Sequence, residues 1–140
     1  MNFHHQRLVF HSRKEEWKKD IYIAKKIGIE EDDYGNTIVK YEKPEPYRMN
    51  VQPISSSPDI KEFGENASLI QKAVIDYDEY INMFKEFDVA YLEGATPDGE
   101  EVHGANANFR LYPPRNQNRC IVLYFERLVQ GKSMQSLPQD

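Results

Sequence analysis

Turn-forming residues cut this chain into short apolar runs, and long helices cannot form between such breaks. Glu31-Asp-Asp-Tyr-Gly-Asn36, the Pro44 and Pro46 pair, Pro97-Asp98-Gly99, and Pro113-Pro114 followed by Arg115-Asn-Gln-Asn118 each stop a regular element. Glycine and asparagine tolerate positive φ, and proline cannot donate to a strand ladder. The β-branched and aromatic runs between them read as strands over Asp20–Ile29, Thr37–Tyr41, Tyr47–Val51, Ala67–Tyr77, Phe87–Leu92, Asn108–Tyr112 and Arg119–Glu126. Asp78–Phe84 reads as a short helix or turn capped by Asp76 or Asp78, with Tyr80, Ile81 and Phe84 on one side. Six or seven short strands with little helix predict a mainly β protein, a small barrel or sandwich.

A chain of 140 residues makes one domain with one modest core. The strand pattern divides it into an N-terminal arm (1–19), a β domain (20–129) and a C-terminal tail (130–140). Hydrophobic content is 39% and charged content 29%, so the expected core is thin and much of the surface faces water or partners. No run approaches the roughly 18 apolar residues of a membrane span, so no membrane is expected as a partner. The N-terminus, with His4, His5, Arg7 and Arg13 around Leu8-Val9-Phe10, lacks a signal-peptide core and cleavage site. Cys120, the single cysteine, lies in an apolar strand and reads as a buried, inert thiol. These features suit synthesis in a reducing cytoplasm.

The net charge of −5 conceals a segregation. Residues 1–26 hold seven Lys/Arg against three Asp/Glu, residues 27–104 hold six against eighteen, and residues 105–140 hold five against two. An acidic middle between basic ends suits subunit-to-subunit contacts if the charges fall on different faces. Solvated faces without a partner explain the same pattern equally well.

The search for catalytic hardware gives little. Asp32-Asp33 and the Asp76, Asp78, Glu79 group lack the glycine and terminal glutamate of a calcium loop, and turn or cap roles fit them better. His4, His5 and His11 have no fourth ligand for zinc, so no metal and no cofactor are expected. Ser55–Ser57 lack a glycine-framed nucleophile elbow. The aromatics Phe63, Tyr77, Tyr80 and Tyr91 fit a barrel core better than a base-stacking platform, because their surroundings are acidic. The enzymatic alternative is a small hydrolytic or ligand-binding barrel using Asp76, Asp78 and His103; a catalytic role is not the expected one.

The longest irregular stretch is Gln52 to Asn66, with two prolines, the Ser55-Ser56-Ser57 cluster and a possible single helical turn over Asp59–Phe63 stopped by Gly64. Compact domains seldom keep a loop of about a dozen residues without a use for it. The phrase Val51-Gln-Pro-Ile-Ser55 enters this loop from a strand, and the next strand ends near Asp76-Tyr77. The chain thereby resembles the head-closure, or stopper, members of the head–tail joining proteins of long-tailed bacteriophages. Further shared cues are a strand before Tyr34-Gly35-Asn36, the segment Asp59-Ile-Lys-Glu-Phe-Gly64 and a last strand that closes the domain. The likeness spans roughly residues 20–127.

The resemblance implies a small β-barrel of six or seven antiparallel strands with one short helix and a long projecting loop. It implies a homo-oligomeric ring in the virion neck, with portal and adaptor proteins above and tail-terminator or tail-tube proteins below. Such a ring holds double-stranded DNA in its channel without sequence specificity. Carried over by position, the gate is about Pro53 to Ala67, with Pro53, Ile54, Asp59, Ile60, Lys61, Glu62, Phe63 and Glu65 as its working residues. Asp59, Glu62 and Glu65 against one Lys61 would block DNA without adhering to it, while Ile54, Ile60 and Phe63 would anchor against neighbouring copies. Arg7, Trp17, Arg115 and Arg119 are the candidates for subunit or neighbour contacts. The long arm before Asp20 and the insert Ala95–Ala107 depart from the family pattern. A tail-terminator or tail-completion protein is the alternative within virion assembly, and deletion of Ile54–Glu65 is expected to leave a folded subunit.

Overall fold

The structure is a computed structural model and describes residues 17–129. It is mainly β. Among the described residues ten strands form: β1 (Lys19–Ala24), β2 (Lys26–Glu31), β3 (Thr37–Tyr41), β4 (Glu45–Met49), β5 (Val51–Pro53), β6 (Ile70–Asp76), β7 (Val89–Tyr91), β8 (Phe109–Leu111), β9 (Arg115–Gln117) and β10 (Cys120–Arg127). The same residues include two short helices, α1 (Ser57–Phe63) and α2 (Tyr77–Tyr80), and a 3₁₀ turn over Gly64–Leu69.

The main sheet is antiparallel, in the order β4-β1-β7-β8-β10-β6-β5, with β9 paired to β10. The two ends of this path, β4 and β5, are separated in the chain by Asn50 alone. One strand thus pairs with β1 through its first half and with β6 through its second, and that bend brings the sheet close to a closed barrel. The sequence reading of a single strand over Tyr47–Val51 misses this switch of partner. Pro46 sits in β4 opposite Tyr22; β4 ends the sheet path, where a strand without an N–H is tolerated. Inside the barrel Ile23, Met49, Phe109, Leu111, Leu123 and Phe125 are almost completely buried.

Two covers lie on the outside. The insert Ala95–Ala107 covers Ala24, Val89 and Tyr91 on β1 and β7. The Tyr91 hydroxyl donates to Glu100 Oε2 at 2.7 Å, and Glu100 also accepts from the Gly104 and Asn106 amides, so one carboxylate organises the insert. Gly104 has φ +87°, and a Cβ there would stand 2.6 Å from the Tyr41 ring. Gly104→Ala is therefore expected to lower stability by about 1–3 kcal/mol in urea unfolding, through a strained backbone conformation and a clash. An unchanged midpoint would show that the insert is not held in this position. The second cover, α1, lies over β6 and β10.

Several elements differ from the sequence reading, each because of a distant partner. The predicted strand Asp20–Ile29 breaks at Lys25 into β1 and β2. Asp88, buried, accepts from the Lys26 amide at 2.9 Å through one oxygen and from the Lys85 amide at 2.9 Å through the other. Burial pushes the Asp88 carboxyl above its ordinary pKa despite these bonds. The chain leaves the barrel there, and β2–β3 forms a separate two-stranded sheet. Its turn is the predicted one: Asp32 accepts from the Tyr34 and Asn36 amides, and Gly35 takes φ +82°.

Arg115–Gln117 is a strand, β9, and the turn is confined to Asn118-Arg119. The strand expected from Ala67 begins at Ile70, after the 3₁₀ turn. Only Val89–Tyr91 of the Phe87–Leu92 run is β, since Phe87 (φ +74°) lies in the bend that Asp88 ties. Asp76 caps α2 by accepting from the Glu79 amide at 2.9 Å; Tyr80 stacks on Phe84, whereas Ile81 points to solvent. Cys120 is half-buried rather than enclosed, and its thiol donates to the Gln117 carbonyl at 3.0 Å.

Candidate functional site

The Val51–Ser55 phrase stands where the barrel-closing strand ends, and the segment after it is folded. The Ser56 side chain caps α1 by accepting from the Asp59 amide at 3.3 Å, and Pro58 occupies the first turn, where a missing N–H does no harm. Gly64, at φ +54°, ends the helix with its amide donating to the Ile60 carbonyl. A long projecting loop is thus replaced by a helix and a 3₁₀ turn laid against the barrel wall.

What holds α1 down is an apolar seam with a polar centre. Ile54 and Phe63 pack on Ile70, Val122 and Tyr124, and the Phe63 ring lies 5.3 Å from Tyr112 and 5.1 Å from Tyr124. The Tyr124 hydroxyl donates to Asp59 Oδ1 at 2.6 Å, and Lys72 Nζ donates to Oδ2 at 2.9 Å. Arg115 on β9 pairs with Glu62 through both nitrogens and lays its guanidinium over the Tyr124 ring at 4.7 Å. Tyr124 therefore meets Asp59, Phe63 and Arg115 at once.

The charges respond accordingly. Burial works to raise the Asp59 pKa, but the Tyr124 hydroxyl, Lys72 and Ser56 outweigh it, and the carboxyl is held below the usual range. Burial and the Asp59 carboxylate push the Tyr124 hydroxyl up to about 12. Hydrogen bonding from Arg115 holds Glu62 low. A carboxylate with a folded pKa below its unfolded value of about 3.9–4.3 gives stability that is complete above that value and lost as pH falls through the folded one. The carboxylate part of the clamp is thus expected to weaken in acid, and the Tyr124 part above about pH 10. The loss of Tm between about pH 5 and pH 3 should shrink in Asp59→Asn, with Glu62→Gln separating the second carboxylate; identical losses in all three proteins would contradict the clamp.

The structure redistributes the candidate gate residues. Ile54 and Phe63, expected to anchor neighbouring copies, are used within the subunit, and Asp59 is buried instead of facing a channel. Ile60, Lys61, Glu62 and Glu65 are exposed, and so is Pro53 at the end of β5. Arg115 is committed to Glu62 and Tyr124 instead of a neighbour. Arg119 is exposed in the β9–β10 turn, where its carbonyl accepts from the Tyr77 amide at 3.1 Å. Trp17 is about half exposed, at 49%. Arg7 lies outside the described residues, as do His4, His5 and His11.

Deleting Ile54–Glu65 would uncover Ile70, Val122 and Tyr124, so the subunit is not expected to stay intact without that segment. Sequence reasoning missed Tyr124 and Lys72. The available signal was the unbroken apolar run Ile121–Phe125, because a strand covered on both faces does not alternate.

The enzymatic alternative loses its constellation. Asp76 pairs opposite Cys120 at one end of β10, whereas His103 lines a groove with Arg110, which pairs opposite Glu126 near the other end. Six residues of strand separate those positions, roughly 20 Å. Among the described residues no three His, Cys, Asp or Glu side chains gather as metal ligands. The aromatics Phe63, Tyr77, Tyr80 and Tyr91 are spread over three packed clusters and form no common platform.

Beside α1 a cleft of about 600 Å³ opens between the β4–β5 bend, the second half of β6 and α2. Met49, Ile54, Val74 and Ile75 give it an apolar floor, and Lys18, Arg48 and Lys72 stand around it with Asp76 and Glu79. No family model, curated protein or solved structure matches the chain.

Proposed function

We propose that this chain is a non-enzymatic head-closure subunit of a tailed bacteriophage, forming a ring between portal or adaptor and tail. The observation that carries the proposal is the Val51–Ser55 phrase at the point where the barrel strand ends and α1 begins. It leads into a short acidic segment clamped to a small barrel. The clamp makes the segment a stiff element at a fixed height on the subunit, which is what a mechanical stop requires. Ile60, Lys61, Glu62 and Glu65 remain outward and are the groups available to the channel. In a ring, their carboxylates repeat once per copy, and like charge keeps the DNA phosphates from adhering.

Particles assembled without the protein test this reading. Heads are expected to fill and then to lose their DNA, and to accept no tails. Heads that retain DNA but join tails of uncontrolled length would overturn head closure in favour of a tail terminator.

A further inference from the structure

At the tip of the β2–β3 hairpin, Tyr34 is 89% exposed, and Ile27 and Ile29 on β2 also face solvent. A two-stranded hairpin by itself is marginal in water, yet this tip is held firmly. Asp32 accepts from the Tyr34 and Asn36 amides and from the Asn36 side chain, so Tyr34 stands on a fixed turn. Of the carboxylates around it, Asp32 is used in the turn and Glu30 pairs with Lys40 at 3.3 Å. Glu31 and Asp33 enter no ion pair among the described residues.

The base of the same hairpin carries a groove of about 380 Å³. Lys26, Val39 and Tyr41 of the hairpin line it, with Phe87 of the Asp88 bend and Val102 and His103 of the insert. Among the described residues no carboxylate lines it; Glu86 and Glu101 adjoin Phe87 and Val102 in the chain but stand outside the lining. Arg110 lines it too and is held by Glu126. Lys26 is not held in that way. Its ammonium stands over the Phe87 ring at 5.1 Å and has no ion pair among the described residues.

Phe87 itself points to a contact. It is 45% exposed and takes φ +74°, a backbone conformation that bulky side chains rarely adopt. Glycine or asparagine makes a bend with less strain, and strain of this kind collects where proteins bind. The fold thus holds an aromatic ring open to solvent in a groove whose unpaired charge is positive.

Tip and groove cannot meet within one subunit, because five strand steps from Lys26 to Glu31 set them roughly 17 Å apart along β2. The geometry points to a second copy of this chain as the occupant: the Tyr34 tip of one subunit seats in the groove at the hairpin base of the next. The Tyr34 ring then covers Phe87 and Val102, and Glu31 and Asp33 lie toward Lys26 and His103. Each copy presents the tip at one end of its hairpin and the groove at the other. Such a contact is heterologous, the kind that generates rings when its rotation closes. It rests on the ring reading above and names its interface.

Photo-crosslinking tests it. Tyr34 is replaced by p-benzoylphenylalanine, which keeps an aromatic ring at the tip, and this protein is mixed with isotope-labelled protein lacking the replacement. On irradiation, links between the two kinds of chain are expected at Phe87, Val102 or His103, with a ladder of multimers when every chain carries the replacement. Phe87→Asn should keep the melting temperature, because asparagine accepts a positive φ, and should cut linking about tenfold. Full linking in Phe87→Asn, or linked dimers that never extend to a ladder, would overturn the contact. Multimers linked elsewhere on the surface overturn it and leave the ring standing. A protein that stays monomeric at every concentration, with no links, overturns both.

Discussion

Asp59→Ala is expected to destabilise the subunit by about 2–4 kcal/mol, because it leaves a buried hydroxyl and an ammonium without their acceptor. The Tyr124 hydroxyl and Lys72 Nζ both donate to this one carboxylate, which is 7% exposed. Tyr124→Phe removes only a donor and leaves Asp59 with Lys72 and Ser56, so its expected loss is smaller, about 1–2 kcal/mol. The double variant should lose less than the sum, by about 1–3 kcal/mol, as contacting groups in one network do. Urea unfolding of the four proteins reads the coupling. Additive losses, or an Asp59→Ala effect within about 0.5 kcal/mol of zero, would mean that α1 is held by Phe63, Ile54 and the Arg115–Glu62 pair without Asp59.

The largest functional effect is expected from residues that the fold does not need. Ile60, Lys61 and Glu65 face solvent and belong to none of the packed clusters. Replacing all three by Ala should leave the unfolding midpoint nearly unchanged, since exposed sites shift stability by about 0.5 kcal/mol or less. In assembled particles the same variant should reduce DNA-filled heads by about tenfold or more, the effect of about 1.4 kcal/mol lost from the closed state. A companion variant, Glu62→Lys with Glu65→Lys, should instead retain DNA and slow its release, more so at low salt, because lysines would bind phosphate. Its Glu62 change also breaks the pair with Arg115, so its melting temperature is measured alongside. Normal filling and release in both variants would remove the segment from the gate.

Local chemistry was legible in this sequence, and distant pairing was not. The Asp32–Asn36 turn, the Asp76 cap and the Gly64 stop follow from residues a few positions apart, and the structure contains all three. The break at Lys25 depends on Asp88, which holds the Lys26 amide from 62 residues away, and no residue near Lys25 signals it. The fate of the Gln52–Asn66 stretch depends on Tyr124, 65 residues from Asp59. Its polar composition read as loop because the partners that make its carboxylates structural lie on other strands. β9 escaped notice because Arg115-Asn-Gln117 is polar, as suits a strand attached off the main path of the sheet. For the candidate site, the sequence singled out the segment but not which of its side chains the barrel takes up. Ile54, Asp59 and Phe63 serve the subunit, and the exposed remainder is what a channel could meet.

Central to the account is the position of this subunit in a particle, and a density map of an intact neck at side-chain detail measures it directly. The account predicts a closed ring of copies directly between portal or adaptor and tail, with residues 60–65 facing the lumen across the DNA. Absence from the neck, a place around the tail tube, or a ring whose α1 segments face outward would contradict it.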